Sequence, residues 1–313
     1  MFMSINCDSK VWRDFLDRHH LRKAYLESTE EWYLPLIRHL HQRAENSSMP
    51  VLVALNGCQG SGKSTLSDFL ATYLVNILGN SVEVLSLDDF YLGHEARQQL
   101  ARDVHPLLAT RGVPGTHDTA LLNETLDRLI DERECSGTLI PRFDKSIDDR
   151  KPEIHWSAVT QRLDIILLEG WCLGAEAVTL ANLSDPINDL ERAEDRDLIW
   201  RKYVNQQLRI HYLPVFSRFD TWIMLKAPSF ESVFSWRLEQ EQKLGLSKAA
   251  ESGSLMNSEQ LLRFIQHYER ITVGCLSSLP DKVDFLYALD ENRNVLKATY
   301  SDRTREALGF TDL

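Results

Sequence analysis

The sequence lacks paired cysteines, a long apolar run and an excess of positive charge. Its five cysteines stand singly without a C-x-x-C pair, which argues against a disulfide framework and against a cysteine-bound zinc site. No apolar stretch approaches the roughly 20 residues of a membrane-spanning helix. Lysine and arginine number 35 against 46 aspartates and glutamates, so the net charge of −11 leaves no basic excess for non-specific nucleic-acid binding. These absences favour a small-molecule partner over nucleic acid or a membrane.

The N-terminal segment also lacks the features of a targeting sequence. Asp8, Asp14 and Asp17 give it an acidic composition that fits neither a secretory signal nor an acid-poor transit peptide. We therefore expect a cytoplasmic protein with reduced thiols. At 313 residues and 43% hydrophobic, the chain is long enough to bury one large core. The composition does not predict whether the protein is a monomer or an oligomer.

What the sequence does contain is a glycine-rich loop between an apolar run and a helical pattern. Residues 57–64 read GCQGSGKS, which is the spacing G-x-x-x-x-G-K-[ST], and they follow the apolar run 51–55, which is predicted to be a buried strand. Apolar side chains then recur at helical spacing over 65–74. In this arrangement backbone N–H groups surround a phosphate at the positive end of a helix. The pattern predicts a P-loop that binds ATP or another nucleoside triphosphate together with Mg²⁺.

The residues of this loop divide by role. The candidate nucleotide-binding residues are Gly57, Cys58, Gln59, Gly60, Ser61, Gly62, Lys63, Ser64 and Thr65. Lys63 is also a candidate catalytic residue because its charge can stabilise a phosphoryl group in transfer, and Ser64 is a candidate Mg²⁺ ligand. Cys58 has two interpretations, a thiol activated by positive surroundings or a small residue that fills the loop, and we favour the second.

Strand patterns alternate with helical patterns along the rest of the chain. Strands are predicted over 81–87, 163–168, 221–225 and 283–288, and helices over 119–133, 197–213, 229–244 and 258–275. Such alternation predicts an α/β fold of the P-loop NTPase class, with a mostly parallel sheet and helices on both faces. We expect an N-terminal extension of two amphipathic helices over 1–48 and a P-loop domain over 49–313. The acidic segment 182–197 is expected to be a surface insertion.

Acidic residues follow two of the predicted strands, at the edge where parallel sheets bind ligands. Asp88 and Asp89 end the strand pattern 81–87, and Glu169 ends the pattern 163–168. We assign Asp88, in preference to a helix-capping role, as the base that takes or orients the proton of an acceptor hydroxyl. Asp89 is either part of the metal site or a helix cap. For Glu169 we favour a residue that holds Mg²⁺ over a strand end facing solvent.

Six segments together resemble the D-glycerate 3-kinase family, within the phosphoribulokinase, uridine kinase and pantothenate kinase group of P-loop kinases. The segments are GCQGSGKST (57–65), SLDDFYL (86–92), RGVPGTHD (111–118), PRFDKS (141–146), LLEGWCLG (167–174) and WRLEQE (236–241). The resemblance implies an ATP- and Mg²⁺-dependent kinase that phosphorylates a primary alcohol, with D-glycerate as the expected substrate. It also implies that Asp88 is the catalytic base and that Glu169 is the strand-end glutamate associated with the metal.

The same segments contain side chains suited to an anionic alcohol, whose carboxylate needs cations. The candidate substrate-binding residues are Tyr91, Arg111, His117, Asp118, Arg142, Phe143 and Lys145. Solvated loop charge is the alternative for each of the charged residues. Arg237 is a candidate catalytic arginine on a helical lid, and an intrahelical pair with Glu241 is its alternative.

Two other functions stay open on the sequence. A uridine-like or pantothenate-like substrate fits the same chemistry, since Phe143 matches an aromatic of uridine kinases and the proline in 111–118 is similar to pantothenate kinase. A nucleotide-dependent regulatory ATPase is a third hypothesis. The acidic balance and the carboxylate of Asp88 on the acceptor side argue against it.

Overall fold

The computed structural model describes residues 5–246 and 256–310, which form helices around a central sheet. The strands are β1 (Val51–Gly57), β2 (Val82–Ser86), β3 (Leu139–Ile140), β4 (Phe143–Asp144), β5 (Asp149–Arg150), β6 (Ser157–Ala158), β7 (Ile165–Gly170), β8 (Thr221–Lys226), β9 (Phe285–Leu289) and β10 (Val295–Tyr300). The helices are α1 (Lys10–His19), α2 (Ala24–Glu45), α3 (Lys63–Asn76), α4 (His94–Asp103), α5 (Thr119–Ile130), α6 (Leu180–Ser184), α7 (Asp189–Glu194), α8 (Ile199–Gln207), α9 (Leu213–Phe216), α10 (Phe230–Leu246), α11 (Ser258–Ser278) and α12 (Asp302–Leu308).

The central sheet has six strands in the order β10-β9-β8-β1-β7-β2. All neighbouring pairs are parallel except β9 and β10, which confirms the predicted mostly parallel sheet. Its register brings the functional strand ends together, because Leu55 of β1 and Ser86 of β2 both pair with Glu169 of β7. The P-loop that follows β1 and the acidic turn that follows β2 therefore lie at one edge.

Helices cover both faces of the sheet, as predicted. Alternate side chains of β1 divide between two apolar clusters, with Leu52 and Ala54 in one and Val53 and Leu55 in the other. The first cluster includes side chains of the helices α5, α9 and α11, and the second includes side chains of α1, α2 and α3. Each fully buried aliphatic side chain contributes about 1.5–3 kcal/mol to folding, so the two clusters hold the strand ends in fixed positions.

The N-terminal extension folds as the two expected helices, α1 and α2. Trp12 and Phe15 of α1 are buried against Phe69 of α3, with ring centroids 5.4 and 6.0 Å from that of Phe69. The extension thus shares an apolar cluster with the helix that follows the P-loop. Across the ranges that the structure covers, no helix combines the length and apolar character needed to cross a membrane.

Most residues of the acidic segment 182–197 are exposed, as expected for a surface segment, but two of its carboxylates are buried. The segment contains all of α7, and Glu191 and Asp195 are only 0% and 1% exposed. Arg270 pairs with Glu191 at 2.6 Å and Arg201 with Asp195 at 2.7 Å. Carboxylates can be buried when guanidinium groups satisfy them in this way, and those partners lie outside the segment, where its own composition gave no sign of them.

Candidate active site

The P-loop is shaped by two glycines with positive φ and by contact with α10. Gly60 has a φ of 79° and Gly62 a φ of 89°, a conformation that side chains rarely tolerate. A Cβ atom on Gly60 would also lie 2.6 Å from the Cβ of Trp236. Burial raises the pKa of the Cys58 thiol to about 12 despite the charge of Lys63, which supports its interpretation as a small filler. The loop therefore leads directly into α3 with its N–H groups at the helix N-terminus.

Glu169 lies among the hydroxyl and ammonium groups at the end of β7. The hydroxyls of Ser64 and Ser86 donate to its Oε1 at 3.1 and 2.8 Å, and Lys63 Nζ lies 3.7 Å from its Oε2. Burial alone would lower the pKa of Lys63, but the negative charges of Glu169 and Asp88 outweigh it and the pKa is raised. Lys63 is therefore fully charged where the phosphates of a nucleotide would bind.

One oxygen of Glu169 is left for a further ligand. The carboxylate is 6% exposed, and within the described part of the chain its Oε2 has no hydrogen-bond partner. No group of three or more His, Cys, Asp or Glu side chains is poised to hold a metal among residues 5–246 and 256–310. Mg²⁺ in kinase sites is commonly held by one or two protein oxygens together with substrate phosphates, so Glu169 and Ser64 fit such an ion.

Asp88 follows β2 in the short helical turn Leu87–Phe90 and is held by two donors. The hydroxyl of Tyr91 donates to its Oδ1 at 2.6 Å, and Lys145 Nζ donates to its Oδ2 at 2.6 Å. Burial would raise the pKa of Asp88, but the charges of Lys145 and Lys63 and these two hydrogen bonds hold it well below its usual range. Asp88 is therefore an ionised acceptor.

Asp89 holds the loop 141–146 rather than facing the P-loop residues. Arg142 Nη1 donates to Asp89 Oδ2 at 3.0 Å, and the backbone N–H of Phe143 donates to Asp89 Oδ1 at 3.0 Å. Arg142 also donates to the hydroxyl of Ser157 at 3.1 Å. Both oxygens of Asp89 and most of the Arg142 guanidinium are thus engaged in fixing the β4–β5 hairpin, a positioning role that fits neither the metal nor the substrate role expected for them.

The remaining charged candidates are also paired. Asp148 forms ion pairs with Arg97, at 2.9 Å, and with Arg111. The two arginines differ in access, because the Arg97 side chain is 1% exposed and that of Arg111 is 27% exposed. Asp118 caps α5 by accepting from Leu121 N and pairs with Arg150 at 3.0 Å.

Aromatic rings connect these charged groups. Tyr91 stacks on His117 with ring centroids 4.8 Å apart and meets Phe143 edge-on at 5.2 Å. The guanidinium of Arg111 lies 5.7 Å from the centre of the Phe143 ring. The structure therefore brings Tyr91, His117, Phe143 and Arg111 into one cluster beside Asp88.

The hydrogen bonds around His117 define its tautomer. Gly115 N donates to the Tyr212 hydroxyl at 2.9 Å, and that hydroxyl lies 2.6 Å from His117 Nδ1. A buried hydroxyl that accepts from a backbone N–H satisfies its own proton best by donating to Nδ1, which places the imidazole proton on Nε2. Burial lowers the pKa of His117 to about 4, so the ring is neutral. Its Nε2 has no partner among the described residues.

Arg237 makes the intrahelical pair that was the alternative to its lid role. Its guanidinium pairs with Glu241 one helical turn later and lies 5.8 Å from the centre of the Phe264 ring. It is nevertheless near the site. Burial raises the pKa of the Tyr268 hydroxyl, Asp88 adds to the rise, and the charges of Arg111 and Arg237 oppose it. Arg237 therefore acts on the same Tyr268 hydroxyl as Asp88 and Arg111. The catalytic role of Arg237 stays a prediction.

Sequence reasoning missed three residues of the site. Arg150 donates to the Tyr91 carbonyl at 3.2 Å, and Tyr268 donates to the Arg111 carbonyl at 2.8 Å. Arg293 donates from Nε to the Gly60 carbonyl at 2.9 Å. The turn Asn-Arg-Asn between two apolar patterns is a signal for Arg293, whereas Arg150 and Tyr268 come from segments that carry no motif.

No protein-family model matches the chain, but three relatives do. The uncharacterized kinase mug58 of Schizosaccharomyces pombe is 33% identical over 273 residues, covering 82% of this chain and 94% of that protein. The probable ATP-dependent kinase TDA10 of Saccharomyces cerevisiae is 30% identical over 280 residues, covering 82% and 89%. The chloroplastic D-glycerate 3-kinase of Arabidopsis thaliana is 30% identical over 266 residues, covering 80% of this chain and 54% of that protein.

The chain belongs to the D-glycerate 3-kinase family of P-loop kinases. It is accordingly an ATP-dependent kinase. Solved structures agree on the fold. The D-glycerate 3-kinase of Cryptococcus neoformans superposes with a TM-score of 0.70 at 24% identity, covering 87% of this chain and 98% of that one. The YGR205w protein superposes with a TM-score of 0.65 at 26% identity, covering 93% and 98%.

Proposed function

We propose that this kinase transfers the γ-phosphate of ATP to the terminal hydroxyl of D-glycerate, with Mg²⁺ as cofactor and 3-phosphoglycerate as product. The observation that carries the proposal is the contact of 2.6 Å between Lys145 Nζ and Asp88 Oδ2. It places a cation of the segment 141–146, which is typical of the family, on the carboxylate beside the P-loop. The D-glycerate 3-kinase named among the relatives supports this substrate.

The carboxylate of D-glycerate needs cations that can leave their present partners. The Lys145 side chain is 59% exposed whereas that of Asp88 is 26% exposed, so the ammonium lies on the solvent side of the pair and can leave it for the carboxylate of a substrate. Arg111 can also turn to a substrate, because Asp148 keeps its buried partner Arg97. We therefore propose that Lys145 and Arg111 bind the substrate carboxylate, while Arg142 positions the loop.

Asp88 then acts on the substrate hydroxyl. While Lys145 contacts it, its pKa is low and it accepts hydrogen bonds without taking a proton readily. When Lys145 moves to the substrate carboxylate, one of the charges that lower this pKa leaves, and Asp88 becomes more basic. The hydrogen bond from Tyr91 keeps the Asp88 carboxylate oriented toward the hydroxyl. Asp88 takes the hydroxyl proton as that oxygen bonds to the γ-phosphorus and the bond from phosphorus to the bridging oxygen breaks, so that ADP leaves.

The remaining walls of the acceptor site orient the substrate. The Nε2–H of His117 is a buried donor available to a hydroxyl or carboxylate oxygen. Phe143 and Tyr91 limit the space around it, since both rings are buried. Asp118 contributes indirectly, because its pair with Arg150 ties the start of α5 to the β4–β5 hairpin.

On the nucleotide side, the backbone N–H groups of residues 57–65 and the ammonium of Lys63 hold the phosphates. Ser64 and Glu169 would hold Mg²⁺, given the free oxygen of Glu169, while Asp89 is engaged elsewhere. When bound, Mg²⁺ neutralises charge on the phosphate oxygens during transfer. We propose that Arg237 leaves Glu241 and reaches the transferring phosphate when α10 closes.

A panel of alcohols tests the proposed substrate. ADP formation is measured with ATP and Mg²⁺ in the presence of D-glycerate, glycerol, uridine or pantothenate. We expect D-glycerate to be the best acceptor because it alone combines a short primary alcohol with a carboxylate for Lys145 and Arg111. Phosphorus NMR should place the phosphate on the terminal carbon. A better rate with uridine or pantothenate, or phosphate on the middle carbon, would refute the glycerate assignment and leave the kinase assignment intact.

A further inference from the structure

A cavity opens directly beside the P-loop. Its volume is about 330 Å³, and Ser61, Gly62 and Thr65 form part of its wall. The other lining residues include Tyr25 and Trp32, which belong to α2 of the N-terminal extension. The volume falls in the range of about 300–1,000 Å³ that is typical of small-molecule sites. None of the acceptor-side residues Asp88, Arg111 and Lys145 lines this cavity.

We propose that the N-terminal extension forms the nucleoside half of the ATP site, with Tyr25 and Trp32 packed against the base and ribose. The inference rests on the ATP-dependent kinase activity and assigns the extension a ligand. Phosphates held by the loop at Ser61 and Gly62 leave the nucleoside in the adjoining cavity. Aromatic rings stack on any nucleobase because every base has a π-face, so a pair of them suits this ligand.

The two rings differ from the other aromatic residues of the extension. Trp12 and Phe15 are fully buried in the core, whereas Tyr25 and Trp32 are partly exposed. Both line the cavity and can contact a ligand without moving the core. Their exposure therefore leaves apolar ring surface available at the position where a base would bind.

Polar contacts attach the extension to the helix that begins at the phosphate site. His19 Nε2 and Arg18 Nη2 bind the Asp68 carboxylate of α3 at 2.7 and 2.9 Å. The other ring nitrogen of His19 lies 3.4 Å from the Thr65 hydroxyl, one turn earlier on the same helix. These contacts hold the extension against the first turns of α3 and so fix the distance between the aromatic pair and the phosphates.

Another part of the cavity wall is also attached by a hydrogen bond, here to the P-loop itself. It is the turn between β9 and β10, whose Arg293 donates to the Gly60 carbonyl at 2.9 Å and lies 5.5 Å from the centre of the Trp236 ring. Asn292 of the same turn lines the cavity with an exposed side chain that can donate and accept hydrogen bonds. The cavity is thus preformed on two sides, which favours binding because little has to be ordered.

The test compares two ligands that differ only by the nucleoside. Calorimetry gives the dissociation constants of ATP and of inorganic tripolyphosphate, each with Mg²⁺ and without acceptor, for the full chain and for Trp32→Ala and Tyr25→Ala. We expect each substitution to weaken ATP binding about tenfold or more and to change tripolyphosphate binding less than about twofold. Leu34→Ala is the matched control, since Leu34 is partly buried on α2 and does not line the cavity, and it should leave both constants unchanged.

Two results would overturn the proposal. One is an equal loss of affinity for both ligands, which would mean that α2 only supports the fold of the P-loop. The other is an unchanged affinity for ATP in both variants. Should Trp32→Ala not fold, Trp32→Leu keeps an apolar side chain without the stacking ring, and the same difference between ligands is expected. Because no acceptor is present, a failure of the glycerate assignment leaves this measurement unaffected.

Discussion

Replacing Lys145 with glutamine tests the acceptor site most directly. The substitution keeps most of the length of the side chain and removes the charge that contacts Asp88 at 2.6 Å. If Lys145 moves to the substrate carboxylate, Lys145→Gln should raise the KM for D-glycerate and leave the KM for ATP nearly unchanged. Glycerol, which lacks a carboxylate, should be used at least as well by Lys145→Gln as by the wild type, because the substitution itself removes the ammonium that a neutral alcohol leaves on Asp88.

The size of the effect follows from the hydrogen bond between the Lys145 ammonium and the substrate carboxylate, which the substitution removes. Hydrogen bonds to charged groups contribute about 1.5–3 kcal/mol, and 1.4 kcal/mol is a factor of ten, so removing one costs about 10- to 150-fold in affinity. The Lys145 side chain is 59% exposed and therefore screened by solvent, which places the expected rise in KM near the lower limit, about tenfold.

The same substitution has a second consequence for pH dependence. The charge of Lys145 is among the causes that lower the pKa of Asp88, so its removal raises that pKa. If Asp88 is the base, it acts in its ionised form, and activity is lost as pH falls through its pKa. The acidic limb of the kcat/KM profile should therefore move to higher pH in Lys145→Gln.

Steady-state kinetics with each substrate varied, repeated across the acidic range, measure both effects. Lys151→Gln is the control, because it removes the same charge near this loop while the charge of Lys151 acts on Asp144. An unchanged KM for D-glycerate, or an equal rise in the KM values for D-glycerate and ATP, would refute the reasoning. A lower rate of Lys145→Gln with glycerol would also refute the reasoning, because glycerol has no carboxylate and a loss of Lys145 contacts to a carboxylate cannot explain it.

Three further predictions concern the nucleotide side, the lid and stability. Lys63→Ala should weaken ATP binding and turnover together. Asp88→Asn should keep the dissociation constant for ATP and lower kcat by about 10²–10⁴-fold. Wild-type turnover in Asp88→Asn would refute the assignment of Asp88 as the base. Arg237→Ala should lower kcat about a thousandfold if the guanidinium reaches the transferring phosphate, whereas unchanged turnover with a lowered melting temperature would leave Arg237 only its structural pair with Glu241. Burial lowers the pKa of His117 from 6.5 to about 4 on folding, so the unfolding free energy should decrease as pH drops between these values, by up to about 1.4 kcal/mol per pH unit for this group. Urea unfolding at several pH values should show a smaller change of unfolding free energy with pH in His117→Gln.

Most of the central sheet could be predicted because β1 and β7 are buried at every position and β8 at most positions. Such strands are continuous apolar runs, and the five predicted strands correspond to β1, β2, β7, β8 and β9. The strand β10 was not predicted. It lies at the edge of the sheet, and its exposed residues Leu296 and Lys297 interrupt the alternation that marks a half-buried strand. The strand order depends on crossovers that periodicity does not encode.

Helical periodicity did not predict the change from an α-helix to a π-helical turn within one segment. The segment 197–213 was predicted as one helix, but α8 ends at Gln207 and the π-helical turn Leu208–Tyr212 precedes α9. The wider turn buries both Leu208 and Tyr212. It also brings the Tyr212 hydroxyl to the backbone of Gly115 and the ring of His117, a contact across 95 residues that defines the tautomer of a site residue.

The gathering of acidic residues at one sheet edge could be predicted, but the pairing of the cations could not. Strand ends in a parallel sheet meet, so the proximity of Asp88 and Glu169 follows from the strand patterns alone. Lys145 is 57 residues from Asp88 in the chain, and its position depends on how the β4–β5 hairpin folds back. The sequence presented Arg142 and Lys145 as equivalent cations. The structure separates them, because Arg142 holds Asp89 and Lys145 holds Asp88.

This separation gives the site a physical basis for selecting an anionic alcohol. An acidic residue that lies near the phosphates of ATP must be neutralised in the free enzyme, since like charges in a closed site repel strongly. A buried partner such as Arg97 does this permanently, but it is not available to a substrate. An exposed partner such as Lys145 neutralises Asp88 only until another carboxylate arrives. In the mechanism proposed above, a neutral alcohol would leave that pair in place, whereas the carboxylate of a hydroxy acid would draw Lys145 away and free Asp88 to act on the hydroxyl. Selectivity and activation of the proposed base would then depend on the same exchange of one ammonium group between two carboxylates.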